Sequence, residues 1–297
     1  MVHAGNNNKM NIKINGKPAD IMLEAEETVG EVVAGIYQWL EGSGFSVSGI
    51  EIDGKSFGSL SLETALTLPV KGISSIDIKT SGWADLLLEA LSGLLNALES
   101  YERADVNDRK NFAEQWITSA PALFLKNHEK DLYNVVQKTL EDASSGGALT
   151  AVISYVNERI REIEDPAKEM KKLRPLTEEI AIRLEDLPLD MQTGKDSKAA
   201  ETITIFSSLV EKIFRLIFLF KYFKTDIESI EVSSMNGSEK QNLKDYISEF
   251  STALKELISA FENKDTVLVG DLAEYELAPR LRCLTEALES VSPGAEL

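Results

Sequence analysis

The sequence is poor in the residues that most often build reactive sites. Its 297 residues include one cysteine, Cys283, and two histidines, His3 and His128. A single cysteine excludes an intramolecular disulfide and fits a reducing compartment. Glu-x-x-His does not occur, and no cysteine and histidine spacing suits zinc. We therefore expect no metal site and no cofactor, and the sequence assigns no catalytic residue.

Positive charge is also scarce. Lysine and arginine number 31 against 49 aspartates and glutamates, which gives a formal net charge of -18. Such a field repels nucleic acid and anionic lipid, whereas it attracts basic partners. We therefore expect no binding to nucleic acid.

Long hydrophobic runs are absent too. The most apolar stretch, Phe206 to Phe223, contains Glu211, Lys212, Arg215 and Lys221, so at most five apolar residues are consecutive. A spanning helix needs about 20. The opening residues, MVHAGNNNK, have no apolar run behind the first basic residue and do not resemble a secretory signal. These patterns predict no membrane span and a cytoplasmic protein.

The first eighty residues have the two-residue period of strands. In MNIKINGKPADIML, the dipeptide Asn15-Gly16 predicts a type I′ hairpin turn between strands over 9–14 and 19–25. Thr28 and Glu31 form a capping box at the start of a helix. Its apolar stripe comprises Val29, Val32, Val33, Ile36 and Leu40. SGIEIDGKSF and ISSIDIKTS then predict further strands.

This order of elements, from Lys9 to Thr80, resembles the ubiquitin-like β-grasp. Leu60, Leu62 and Leu66 stand where that fold keeps apolar residues of its last loop. Carriers and modifiers of this fold act through a free C-terminal Gly-Gly, but here Ser81-Gly82 continues into Trp83. Carrier chemistry would therefore require cleavage of the chain after Gly82. The resemblance otherwise implies docking through the open sheet face, or a domain that only packs on its neighbour.

From Trp83 onward the apolar period becomes that of helices. Leucines at 87, 91, 94, 95 and 98 share one stripe, and Leu149, Val152, Ile153, Val156, Ile160 and Ile163 share another. Ser238 and Gln241 form a second capping box. We predict an α+β N-terminal ubiquitin-like β-grasp domain at 9–82 and an all-α helical-hairpin bundle at 83–292. Residues 1–8 are a disordered lead-in and 293–297 a flexible tail.

A weak repeat lies in the helical part. The turns TGKD and ENKD, aligned at Asp196 and Asp265, each separate two helical patterns, which predicts antiparallel hairpins. The tracts MQTGKDSKAAETI and DLAEYELAP resemble those of uncharacterised helical bacterial proteins. That resemblance implies no function.

One helical segment, EKIFRLIFLFKYFK, is apolar on all sides. Its polar stripe, which includes Lys212 and Arg215, continues as Phe218, Leu219 and Tyr222. We hypothesise that these three residues lie in the core, as is usual for such a helix. If exposed, they form a contact for a protein partner or a homo-oligomer.

The sequence favours a non-enzymatic protein-interaction or adaptor function, in which the sheet face and the helical bundle are the contact surfaces. One alternative is an export or assembly chaperone that holds amphipathic client helices. Another is an enzyme of unrecognised type.

Overall fold

The described chain begins with a mixed sheet and continues with helices, which confirms the predicted α+β class. The computed structural model describes residues 10–19, 21, 25–40, 45–57, 62–141, 146–223, 225–227, 229–233 and 240–291. The predicted lead-in at 1–8 and tail at 293–297 lie outside these residues. The chain divides into two compact units, Met1–Ile160 and Arg161–Leu297.

Five strands form the sheet of the first unit. They are β1 (Asn11–Ile14), β2 (Lys17–Pro18), β3 (Phe45–Ile52), β4 (Lys55–Phe57) and β5 (Ser75–Gly82). Their order is β2-β1-β5-β3-β4, with β1 and β5 parallel and the other neighbours antiparallel. Helices α1 (Val29–Leu40) and α2 (Leu62–Leu66) accompany the sheet.

The core of this sheet follows the predicted alternation. Ile76 and Ile78 of β5 are fully buried and share one cluster with Ile12, Ile50 and the apolar stripe of α1. All five predicted stripe residues of α1 are at most 6% exposed. Alternate strand residues thus face the helix, because side chains alternate between the two faces of a strand.

The predicted hairpin is confirmed at its turn but not in its second strand. Asn15 and Gly16 have φ values of 50° and 78°, as a type I′ turn requires. The strand expected at 19–25 is wrong: β2 is Lys17–Pro18. A two-residue turn pairs the residues that flank it directly, and Ile14 indeed pairs with Lys17. Residues 20 and 22–24 lie outside the described part.

The first capping box is half confirmed. Thr28 Oγ1 accepts a hydrogen bond from the amide of Glu31 at 3.3 Å. The Glu31 carboxylate, however, accepts from the amide of Glu27 at 2.6 Å rather than from that of Thr28. Thr28 therefore caps the helix start as expected. The reciprocal bond to Glu31 is also present, but its donor is the amide one residue before the predicted one.

In the described residues, five helices follow the sheet along the chain. They are α3 (Trp83–Arg103), α4 (Val106–Ile117), α5 (Ala120–His128), α6 (Lys130–Glu141) and α7 (Gly146–Glu164). Helix α3 begins directly after β5 ends, where the period changes. Four of its five predicted stripe leucines are fully buried, and Leu95 is half-buried. The first compact unit extends to Ile160 and so includes residues beyond the predicted domain at 9–82. Independent folding of residues 9–82 stays a prediction.

Helices dominate the second unit. They are α8 (Pro166–Lys171), α9 (Arg174–Glu185), α10 (Leu187–Gln192), α11 (Asp196–Tyr222), α12 (Leu243–Glu262), α13 (Thr266–Asp271), a π-helical segment (Leu272–Leu277) and α14 (Ala278–Glu289). Between α9 and α14, the hydroxyls of Thr177 and Thr285 are 3.2 Å apart in the core. Arg282 of α14 donates to Glu185 and to Glu178 of α9, and these carboxylates raise the pKa of Arg282.

The region after residue 83 is not wholly helical, contrary to the prediction. A short hairpin, β6 (Glu231–Ser233) with β7 (Lys240–Asn242), precedes α12. Gln241 lies in β7, so the second capping box is wrong, and Ser238 is outside the described residues. The N-cap of α12 is instead Asn242, whose side chain accepts from the amide of Asp245 at 2.9 Å.

The two repeat turns share one geometry. At the first, Gly194 has a φ of 72°, and the amide of Lys195 donates to the carbonyl of Asp190 at 2.8 Å. At the second, Lys264 has a φ of 57°, and the amide of Asp265 donates to the carbonyl of Ala260 at 2.9 Å. Both are Schellman motifs. Gly194 thus corresponds to Lys264, which shifts the predicted alignment by one residue.

Candidate functional site

The phenylalanine-rich segment of α11 is divided between core and solvent. Leu219 is 3% exposed and lies in the core, whereas Phe218 is 52% exposed. Tyr222 is half-buried, with its ring edge-on to that of Phe223. Successive helical residues point about 100° apart, so adjacent residues can differ in this way. The core hypothesis is therefore wrong for Phe218, and Leu219 is excluded as an exposed contact.

The polar stripe of the same helix is an ion-pair network, which sequence reasoning missed. Arg215 donates two hydrogen bonds, of 3.0 and 2.9 Å, to the fully buried carboxylate of Glu162. Lys212 Nζ lies 3.7 Å from a carboxylate oxygen of Glu169, which is also buried. Buried charges need such partners. Glu162 is 53 residues from Arg215, so no local spacing could have revealed the pair.

Large apolar side chains are exposed on the hairpin made by α12, α13 and the π-helical segment. They are Ile258 (58% exposed), Phe261 (47%), Val267 (72%), Leu268 (44%) and Tyr275 (61%). We call these five residues the hairpin surface. Large exposed apolar side chains that share one hairpin are candidates for contact with a partner.

One signal in the sequence could have found part of this surface. The buried stripe of α12 includes Leu257 and Ala260. Ile258 and Phe261 each lie one residue later, about 100° around the helix, and so widen the apolar face beyond the stripe. Packing of α12 into the core requires only the buried stripe. Ile258 and Phe261 lie outside that stripe and are therefore available to a partner.

A proline accounts for the π-helical segment in this hairpin. Pro279 has no amide hydrogen, and its ring clashes with the carbonyl four residues earlier, that of Tyr275. The amide of Ala278 accordingly donates to the carbonyl of Ala273, five residues back. This wider turn lets the helix continue past the proline. Such π segments are frequent at functional sites.

Gly270 of α13 allows a close approach by α10. A Cβ at Gly270 would lie 3.1 Å from the Cβ and Cγ of Pro188, tighter than ordinary contact. Leu189, the next residue of α10, is 58% exposed. Leu189 is therefore one more exposed apolar side chain, and it lies on the helix that packs against α13.

Tyrosines and carboxylates define the electrostatics of the hairpin. The neighbouring carboxylate of Glu274, with a smaller contribution from that of Asp271, raises the pKa of the Tyr275 hydroxyl. Burial, and secondarily the Cys283 thiol, raises the pKa of Tyr246, which donates to the carbonyl of Arg280 at 3.1 Å. Cys283 is half-buried. The exposed tyrosine is thus surrounded by acids, while the buried one has a structural role.

The open face of the sheet is polar. Lys13, Asp77 and Glu51 are neighbours across β1, β5 and β3. Burial alone would raise the pKa of Asp77, but hydrogen bonds from Lys79 and from the Gly16 amide lower it on balance. Docking on this face therefore requires polar rather than apolar contacts.

A cavity of about 740 Å³ lies between the β1–β2 hairpin and α1. Its lining is Ile14, Asn15, Lys17, Pro18, Ala19, Ile21, Glu26, Val32, Gly35 and Ile36. This volume is within the usual range for small-ligand sites, roughly 300 to 1,000 Å³, and such sites are also mainly apolar. The lining has few polar groups to orient a ligand, so the cavity is a weaker candidate for a functional site than the hairpin surface.

The described residues contain no group of three or more histidine, cysteine, aspartate or glutamate side chains placed to hold a metal ion. None of their helices combines the length and apolar content needed to cross a bilayer.

Comparisons match two separate parts of the chain. Residues 10–82 match the family described as TP0873 N-terminal domain, and residues 168–287 match Domain of unknown function (DUF8042). A Treponema pallidum (strain Nichols) protein described as "Uncharacterized protein" is 30% identical over 113 residues, or 38% of this chain and 53% of that protein. The match thus spans about half the length of this relative. No solved structure matches significantly.

These matches confirm similarity to uncharacterised bacterial proteins, as two tracts of the sequence had suggested. The second matched range contains the whole of the hairpin surface and all of α11.

Proposed function

We propose that this protein is a non-enzymatic interaction protein or adaptor and that the hairpin surface is its principal contact. The observation that carries the proposal is the exposure of five large apolar side chains on one helical hairpin. Burying them against a partner removes apolar surface from water, at about 25 cal/mol per Å². The single cysteine supports action in a reducing compartment such as the cytoplasm.

We also propose a ubiquitin-like β-grasp fold for residues 10–82. Its support is the strand order β2-β1-β5-β3-β4, with a parallel central pair and a single long helix after the first hairpin. On this proposal the charged row of Lys13, Asp77 and Glu51 lies on the open face and provides a second, polar contact.

A chaperone that holds amphipathic helices is the second candidate function. The hairpin surface favours it, because Ile258 and Phe261 are three residues apart on one helix face and match the spacing at which a client helix presents apolar groups. An adaptor retains one partner, whereas a chaperone releases several clients.

Co-purification with a tagged full-length chain tests the proposal. The test variant is the double substitution Ile258→Ser and Phe261→Ser. The matched control is Leu123→Ser with Ile117→Ser, two residues of the first unit that are 50% and 42% exposed. We expect the wild type and the control to recover the same proteins and the test variant to lose them. Equal recovery by all three chains, each with unchanged circular dichroism, would overturn the proposal.

A further inference from the structure

The hairpin surface lies in an acidic stretch of the chain. Residues 255–276 include six carboxylates, at 256, 262, 265, 271, 274 and 276, and two lysines, at 255 and 264. Asp265 caps the amide of Leu268 at 3.0 Å, and Glu276 accepts from Arg280 at 3.0 Å. In the described part of the chain, the other four carboxylates neither cap a helix nor pair with a cation.

Those four carboxylates are Glu256, Glu262, Asp271 and Glu274. In the part of the chain that the structure describes, none of them forms an ion pair. Two adjoin exposed apolar residues directly: Glu262 follows Phe261, and Glu274 precedes Tyr275. Even with the two lysines of the stretch counted, negative charge is therefore in excess next to the exposed apolar residues.

We propose that the hairpin surface binds a basic amphipathic helix. The apolar side of this helix contacts Ile258, Phe261 and Leu268, and its flanking lysines or arginines pair with the marginal carboxylates. The inference rests on the proposed interaction function and adds the chemistry of the partner. Complementary charge also accelerates association, because opposite potentials steer the encounter.

Charge excludes a second copy of this chain as the preferred occupant. Each copy has a net charge of -18, and its own hairpin surface has the same acidic margin. Two such surfaces would bring like charges together, which costs several kcal/mol at an interface. A cationic helix meets no such repulsion.

Peptide binding to the full chain tests the inference. Three labelled peptides of about 18 residues are needed: an amphipathic helix with leucine on one face and lysine on the other, the same helix with glutamate for lysine, and a scrambled form of the first. Fluorescence anisotropy gives each Kd at low and at high salt. We expect the basic amphipathic peptide to bind at least about tenfold more tightly than the other two and to weaken with salt.

Charge-reversal variants locate the site. The test variant combines Glu262→Lys, Asp271→Lys and Glu274→Lys. The control combines Glu89→Lys, Glu102→Lys and Glu114→Lys, three exposed residues of the first unit, so that both chains change net charge equally. We expect the test variant to lose about tenfold in affinity for the basic peptide and the control to lose much less.

Each outcome has a defined meaning. Equal losses in the two charge variants, or equal binding of the scrambled peptide, would show a non-specific charge effect and overturn the inference. Another outcome is that the acidic peptide binds as tightly as the basic one, with the double substitution Ile258→Ser and Phe261→Ser abolishing the binding of both peptides. In that case the inference of a basic partner is wrong, while the proposed interaction function stands. If no peptide binds, the inference that the hairpin surface binds an amphipathic helix is wrong. The co-purification experiment tests the proposed interaction function independently.

Discussion

Two phenylalanines of α11 provide a matched test of the packing. Phe220 is 1% exposed and Phe218 is 52% exposed, although they are two residues apart on one helix. The changes Phe220→Ala and Phe218→Ala remove the same atoms. Only the first leaves a cavity, because only Phe220 is enclosed by its neighbours.

The expected losses of stability differ accordingly. A fully buried phenylalanine replaced by alanine lowers the free energy of unfolding by about 3 to 5 kcal/mol. At Phe218 half of the side chain already faces water, so the loss should be about 1 kcal/mol or less. With an m-value of about 2 kcal/mol/M, the first change lowers the urea midpoint by roughly 2 M and the second by less than about 0.5 M.

The assay must follow the second unit. All three tryptophans, Trp39, Trp83 and Trp116, lie in the first unit. Far-ultraviolet circular dichroism reports the helices of both units, and tryptophan fluorescence reports the first alone. We expect Phe220→Ala to shift the dichroism transition more than the fluorescence transition. Equal losses at the two positions, or a larger loss for Phe218→Ala, would refute this account of the packing.

Three further predictions concern other parts of the chain. Gly16→Val should destabilise the first unit by roughly 1 to 2 kcal/mol, because a β-branched residue is strained at positive φ; an unchanged fluorescence melt would contradict it. Arg215→Met should lower the free energy of unfolding by about 3 to 5 kcal/mol, since the buried carboxylate of Glu162 would lose the two hydrogen bonds from its guanidinium partner. The exposed pair of Arg103 is the control, and Arg103→Met should change stability by at most about 1 kcal/mol. The ammonium of Lys198, 2.7 Å from Asp190, together with that of Lys195, lowers the pKa of the Asp190 carboxyl below 3.8. This carboxylate therefore stabilises the fold above pH 3.8, and that contribution is lost as the pH falls through the lowered pKa. The difference in urea midpoint between pH 6 and pH 3 should therefore be smaller for Asp190→Asn.

Much of the candidate site depends on which helix faces are covered. Periodicity indicated that the segment around Phe218 is apolar on all sides, but it could not say which side is exposed to solvent. The same limit applies to Ile258 and Phe261, which lie one residue beyond the buried stripe of α12. Coverage is a property of several elements together, so one helix pattern cannot decide it.

The sequence by itself determined several local structural features. The turn at Asn15-Gly16, the apolar stripe of α1 and the change of period at Trp83 follow from backbone preferences and short-range spacing, and each is found as expected. Tertiary structure alone decided the rest. The pairing of Arg215 with Glu162 and the exposure of the hairpin surface depend on residues or elements that meet only in the folded chain. Burial depends on distant neighbours, and for that reason it determines which apolar residues remain available to a partner.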